Sequence, residues 1–306
     1  MQSIKVKSPA TLSNLCCGFD ILGMALHDPF DTIELRKIDE PVINIQHQDS
    51  FGLPNDPQKN IAGVALNAMM QSLNYQNGFE VIIEKKIKPG SGIGSSAASA
   101  AGVVVAANEL LGKPFNNKQL VSFAMEGEVL ASGSRHADNL APCIFGGLVL
   151  IRDTPTLDII SLKLPPLYVT IIHPQIEIKT SYAREILPKE ISLRSAVTQW
   201  ANVAGLVSGF LQNDYQLISR SLQDVIVEPI RSKLIPGFDD VKKKCMMAGA
   251  LGGGISGSGP SLFMLSESEI IATSVEAEMK SVYDVLGIDY KTYVTTIADK
   301  GVEVIN

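Results

Sequence analysis

The stretch Pro89-Gly90-Ser91-Gly92-Ile93-Gly94-Ser95-Ser96-Ala97-Ala98-Ser99 decides how this chain is read. Three glycines at alternate positions run into two serines and an alanine-rich segment with helical character. Glycine permits close approach and unusual dihedrals, and a helix N-terminus adds free N–H donors with a partial positive charge. The natural ligand of such a turn is a phosphate. Two familiar phosphate loops do not fit. No Lys follows the last glycine, as a Walker A loop requires, and the third glycine of a dinucleotide fingerprint would fall at Ser95. A mere packing turn has no need of Gly90, Gly92, Gly94, Ser95 and Ser96 together at a helix start. Lys85, Lys86 and Lys88 just upstream either add positive charge near a polyphosphate or form a solvated strand edge.

Working outward, residues 79–86 alternate as a strand that leads directly into the glycines. Residues 97–111 form a helix stopped by Gly112 and Pro114, and its nearly apolar circumference implies burial between layers. Upstream, residues 4–8 alternate as a strand that Pro9-Ala10-Thr11 should end, and residues 30–37 and 42–46 read as two more. A loop over 49–60 hands over to a helix over 61–73 with Asn60 as its N-cap. Downstream, Asn116 or Asn117 caps a helix over 119–131 that carries Glu126 and Glu128. Residues 132–139 are irregular, and a strand over 144–152 contains Gly146-Gly147. Pro155, Pro165 and Pro166 mark a change of composition, which divides the chain into 1–158 and 159–306. The second part alternates a strand at 167–173, helices at 192–212, 215–225 and 239–247, a glycine-rich turn at 249–260, and strands at 261–266 and 290–296 around a helix at 267–286. The pattern is α+β, a sheet covered by helices on one face.

Composition narrows the function. The 306 residues are 45% hydrophobic and 19% charged, with a net charge of −6, which suits a globular protein with a sizeable core and speaks against a nucleic-acid partner. The longest apolar run, 97–107, is too short and too rich in small residues to span a bilayer. Met1-Gln2-Ser3-Ile4-Lys5 moves straight into strand-like sequence without a signal-peptide core. Cys16, Cys17, Cys143 and Cys245 show no metal-ligand spacing, and reduced thiols in the cytoplasm are expected.

The glycine stretch also resembles the phosphate-binding motif of the small-molecule kinases grouped with galactokinase, mevalonate kinase and homoserine kinase, the GHMP kinases. Two further segments match in the right order: Ser8-Pro9-Ala10-Thr11 through Gly18-Phe19-Asp20-Ile21-Leu22-Gly23, and Gly254-Ile255-Ser256-Gly257-Ser258-Gly259-Pro260-Ser261. Ser134-Arg135-His136-Ala137-Asp138-Asn139, Ile144-Phe145-Gly146-Gly147, Thr180-Ser181-Tyr182-Ala183-Arg184 and the run Glu228-Pro229 through Pro236-Gly237 take the form found in homoserine kinases. The resemblance covers nearly the whole chain. It implies a two-domain α+β fold, with an N-terminal part like the second domain of ribosomal protein S5 and a ferredoxin-like C-terminal part.

The resemblance also implies a chemistry. ATP would lie on Pro89 through Ser99 with Asn60 near its adenine, and Mg²⁺ would be held by Ser96, with Ser95 as competitor, and by Glu128. Glu126 falls on another side of the helix and is the solvated one. The acceptor would be L-homoserine, its carboxylate on Arg184 and Arg231, its ammonium and hydroxyl end near Asp20 and Asn14, with His136 and Asn139 lining the pocket. Asn139 stands where several relatives carry a catalytic aspartate, so the transfer would rest on positioning without a base; Asp138, next to it on an extended segment, should point the other way. Cys16 and Cys17 replace the small residues usual in the first motif and should reshape that loop without loss of function. The implied activity is ATP-dependent phosphorylation of homoserine in threonine biosynthesis. A sibling kinase for another alcohol such as mevalonate would leave Asp20 idle, and a ligand sensor would have lost Ser96, Glu128 or the third motif. Assembly as a homodimer is left open.

Overall fold

The computed structural model describes residues 2–133 and 135–305. Met1, and Ser134 at the head of the segment ending at Asn139, lie outside the described residues. The first sheet has strand order β11-β1-β2-β4-β3, with β5 joined to β2 and β6 to β5. Its strands are β1 (Ser3–Ser13), β2 (Leu22–Ile38), β3 (Ile43–His47), β4 (Gly78–Glu84), β5 (Leu148–Asp153), β6 (Asp158–Leu162) and β11 (Glu303–Ile305). The strand that crosses the expected division at 158/159 therefore belongs to the first sheet, and so does the last strand of the chain. Among the described residues only β3 and β4 pair in parallel.

Alternation along β4 buries Phe79, Val81 and Ile83, which face the core beside Ile33 and Leu35 of β2. Each such side chain contributes about 1.5–3 kcal/mol by leaving water. Helix α2 (Ser95–Leu110) lies against β1 and β2, and α1 (Ile61–Ser72) and α3 (Asn117–Ser132) pack on α2. Asn60 caps α1 by accepting from the Ala62 and Gly63 N–H groups, and Asn116 with Gln119 closes a capping box on α3.

The second sheet is antiparallel, in the order β10-β7-β9-β8. It is built from β7 (Tyr168–Pro174), β8 (Gly252–Ile255), β9 (Leu262–Ser266) and β10 (Tyr290–Thr296). Around it stand α5 (Thr180–Glu185), α6 (Leu193–Gln212), α7 (Tyr215–Ser221), α8 (Glu228–Arg231), α9 (Phe238–Met247) and α10 (Glu269–Leu286). One apolar cluster joins the two sheets: Leu12, Met24, Ile93 and Ala98 meet Val169, Leu206, Phe210 and Phe263.

Four local expectations change. β1 does not stop at Pro9; it continues to Ser13, and the register slips between Pro9 and Thr11 so that the missing N–H falls at an irregularity. The strand expected from residue 144 starts at Leu148, because α4 (Leu140–Phe145) takes the preceding residues, with Pro142 in its first turn. α7 ends at Ser221, where Asp224 accepts from the N–H groups of Ile226, Val227 and Glu228 and turns the chain. Part of the expected glycine-rich turn, Gly252–Ile255, is recruited as β8 by pairing with β9.

Candidate active site

A cleft of about 520 Å³ opens at the seam between the two sheets. The glycine stretch forms one wall. Gly90, Gly92 and Gly94 all take left-handed backbone angles, with φ of 75°, 84° and 73°. At Gly94 the reason is spatial as well: a Cβ there would meet Thr11 Oγ1 at 2.0 Å. Gly92 is pressed just as closely, since its Cβ would fall 2.6 Å from the Gly259 carbonyl oxygen. Gly94 is the N-cap of α2 and no side chain caps it, so the first N–H groups of this helix are left to a ligand. Pro89, Gly90, Gly92, Gly94, Ser95, Ser96 and Ser99 line the cleft. Ile93, Ala97 and Ala98 turn into the apolar core instead, and Ser91 is buried beside the third motif with its carbonyl accepting the Ser261 N–H.

The two serines divide their tasks. Ser95 Oγ donates to the Ile87 carbonyl at 2.8 Å, whereas Ser96 Oγ donates to Glu128 Oε2 at 2.9 Å, and both Ser96 and Glu128 line the cleft. Glu126 is ion-paired with Arg135 on the exposed side of α3. Asn60 does not line the cleft, although its neighbour Ile61 and the loop residue Leu53 do. Its amide is occupied by the α1 cap, the Pro54 carbonyl and His47 Nε2.

At the other end, Asp20 receives both Nη groups of Arg184, at 3.0 and 2.8 Å, and His136 Nε2 stands 3.9 Å away. Arg231 is 3% exposed; its Nε and Nη1 donate to the carbonyls of Ala183 and Gly257. Burial and the Arg184 charge lower its pKa to about 10, so it stays cationic at neutral pH. Both guanidinium groups lie 5.2 Å from the ring centre of Phe19, which orients them by cation–π contact. Asn14 ties the parts together: its Nδ2 donates to the Gly257 carbonyl and its Oδ1 accepts the Asp20 N–H. Burial moves the His136 pKa down, so its neutral form is favoured.

Asn139 sits between these ends. Its Oδ1 accepts from Thr11 Oγ1 at 2.8 Å and its Nδ2 donates to Ser13 Oγ at 2.9 Å. Asp138 does not point away; it lines the same cleft, because residues 138 and 139 form the turn that opens α4, where strand parity does not apply. Burial, then the nearby charges of Asp20 and Glu128, push its carboxyl up to about 7. In the loop after Asn14 the backbone is left-handed at three successive residues: Asn14, Leu15 and Cys16 all have positive φ. Burial raises the Cys17 thiol to about 12 and Cys16 well above its ordinary value, which disfavours the thiolate a nucleophile needs.

Sequence reasoning missed Thr11, Ser13 and Phe19 as individual contributors, though all three stand inside quoted motifs. It also missed how the third motif docks on the first glycines: Ser256 Oγ donates to the Gly92 carbonyl at 2.8 Å, and Thr180 Oγ1 meets Ser258 Oγ at 3.1 Å. Among the described residues no group of three or more His, Cys, Asp or Glu side chains could hold a metal ion. Ser96 Oγ and Glu128 Oε2 are oxygen donors of the kind that could help hold a hard cation. No helix of the described residues is long and apolar enough to cross a membrane.

Comparison with known proteins identifies the family. Residues 60–147 match the GHMP kinases N terminal domain and residues 206–285 the GHMP kinases C terminal domain. A homoserine kinase of Chloroherpeton thalassium is 44% identical, covering 92% of this chain and 93% of its own length. One from Chlorobium phaeobacteroides is 42% identical with both chains fully covered. The crystal structure of homoserine kinase from Cytophaga hutchinsonii superposes with a TM-score of 0.96 at 50% identity, covering 100% of this chain and 98% of that one. The chain belongs to the homoserine kinases of the GHMP kinase family, and its two-part α+β architecture is that family's.

Proposed function

We propose that this chain transfers the γ-phosphoryl group of ATP to the side-chain hydroxyl of L-homoserine, giving O-phospho-L-homoserine for threonine biosynthesis in the cytoplasm. One observation carries the reading: a single cleft joins an uncapped helix N-terminus flanked by left-handed glycines to a carboxylate and two arginines. The first end suits a polyphosphate and the second a zwitterion. Asp20 offers an acceptor for an ammonium, while Arg184 and the remaining N–H groups of Arg231 offer a carboxylate its bidentate partners. The relatives named above carry the matching activity in their names. Four free, buried cysteines fit a reducing compartment.

Ser96 Oγ and Glu128 Oε2 present oxygen donors within 2.9 Å of each other, a set that fits Mg²⁺, which needs only one or two protein oxygens and keeps its waters. When bound, the ion neutralises charge on the β- and γ-phosphates. Asn139 cannot accept a proton, and its amide is held by Thr11 and Ser13. It acts as a fixed spacer that keeps the acceptor hydroxyl in line. The transfer then rests on positioning and charge stabilisation, and the hydroxyl proton departs late, to the γ-phosphate.

A coupled ADP-release assay with L-homoserine, mevalonate and galactose tests the reading. Turnover is expected with homoserine alone, and Glu128→Gln should lower it about a hundredfold, the usual scale for losing one electrostatic stabiliser. Nucleotide binding without ADP release on homoserine would mark a sensor, and turnover of mevalonate a sibling kinase; either outcome sinks the proposal.

A further inference from the structure

Beneath the glycine wall lies a buried ion pair that the chemistry above does not use. Lys85, one residue beyond β4, is 6% exposed, and its Nζ is bonded to Oδ2 of the fully buried Asp31 of β2. An ammonium has three N–H donors. The other two go to the Ser95 carbonyl at 3.0 Å and to Ser99 Oγ at 2.9 Å. None is left for a phosphate, although Lys85 borders the cleft. Asp31 Oδ1 accepts the N–H groups of Lys86 and Ile87 at 2.8 and 2.9 Å, and Ser95 Oγ returns a bond to the Ile87 carbonyl at 2.8 Å. The ring so closed contains strand β2, the chain leaving β4 and the first turn of α2.

Stability alone is a poor reason for this arrangement. A cation at the N-terminal end of a helix opposes the helix dipole, and a buried ion pair roughly balances the desolvation of its two charges. What the ring does supply is register, because it grips α2 at Ser95 and Ser99, on either side of Ser96. We infer that Lys85 and Asp31 are positioning residues for phosphoryl transfer: through Ser95 and Ser99 they fix the first turn of α2, so that its free N–H groups and Ser96 Oγ meet the triphosphate in one geometry. The inference rests on the reading that the glycine wall holds ATP.

The test uses the full chain carrying Asp31→Asn, and the neutral pair Asp31→Asn with Lys85→Met. Asp31 lies outside the lining of the cleft, so its variant removes no contact with nucleotide. Thermal melts establish folding, calorimetric titration with a non-hydrolysable ATP analogue and Mg²⁺ gives nucleotide affinity, and saturation kinetics give kcat and the KM for homoserine. The expected result is a kcat lower by about a hundredfold, the cost of a misplacement near 1 Å. Analogue Kd should rise about tenfold while the homoserine KM stays within about twofold. A purely structural role would not split the two substrates in this way. Folded variants with wild-type kcat and analogue Kd overturn the inference. So does failure of both variants to fold, which would assign the pair to the core alone. Failure of the wild-type chain to bind the analogue defeats the ATP reading itself and is seen separately.

Discussion

The two ends of the cleft are made differently. The end proposed to hold the phosphates is local: within seven residues, 90 to 96, the chain supplies three left-handed glycines and a helix start, and most of what it offers is backbone. The end proposed to hold the amino acid is assembled from Asp20, His136, Arg184 and Arg231, which come from four distant segments, and what it offers is charged side chains that hold one another. A backbone site tolerates little change at its glycines, because conformation is its function. A side-chain site should lose one substrate at a time, because each charge has its own task.

The largest effect expected from this contrast is at Gly94. Gly94→Ala places a Cβ against Thr11 Oγ1 at a φ of 73°, so Thr11 or the backbone must move and the turn is strained in either case. Strain of about 1–3 kcal/mol joins the displacement of the catalytic turn. Activity with every substrate pair should fall by about a thousandfold or more, read by ADP release, with a lowered melting temperature. Retention of wild-type turnover would show that the cradle does not depend on its backbone conformation.

Asp138 lies where the two ends meet, raised by burial and by a carboxylate from each end. With a folded pKa near 7, well above its ordinary value, the native state binds the extra proton between about pH 4 and 7. Stability of the ligand-free, metal-free protein should therefore drop as pH rises through that window, by roughly 4 kcal/mol from this group alone. Asp138→Asn should flatten the drop and melt higher than wild type at pH 8. Identical pH–stability curves for the two proteins would remove Asp138 from this account.

Arg184→Met is the smaller and more selective change. Losing a charged hydrogen bond of about 2 kcal/mol should raise the homoserine KM about thirtyfold while ATP affinity holds. A matching loss of ATP affinity would mean that the ends are not separable.

Legibility in the sequence follows the same division. The phosphate end could be read because its signal is contiguous, and the strand before it and helix after it follow from simple periodicity. Lys85, Lys86 and Lys88 could not be told apart, since their fates depend on pairing across the sheet. Lys85 meets Asp31 because β2 lies beside β4; Lys86 stands over the Phe30 ring at 5.0 Å; Lys88 donates to Gln175 of the second part. Strand parity fails at Asp138 because residues 138 and 139 are a turn into a short helix. Asn60, expected near adenine, shows a different limit: its side chain is committed to capping its own helix, which the sequence also signalled.

The pairing of β11 with β1 has a consequence in time. Lys5 lies opposite Ile305, so the sheet that carries the phosphate wall receives its edge strand from the far end of the chain. β1 is synthesised long before β11, so one row of its backbone groups stays unpaired until β11 has followed. The first sheet therefore closes late.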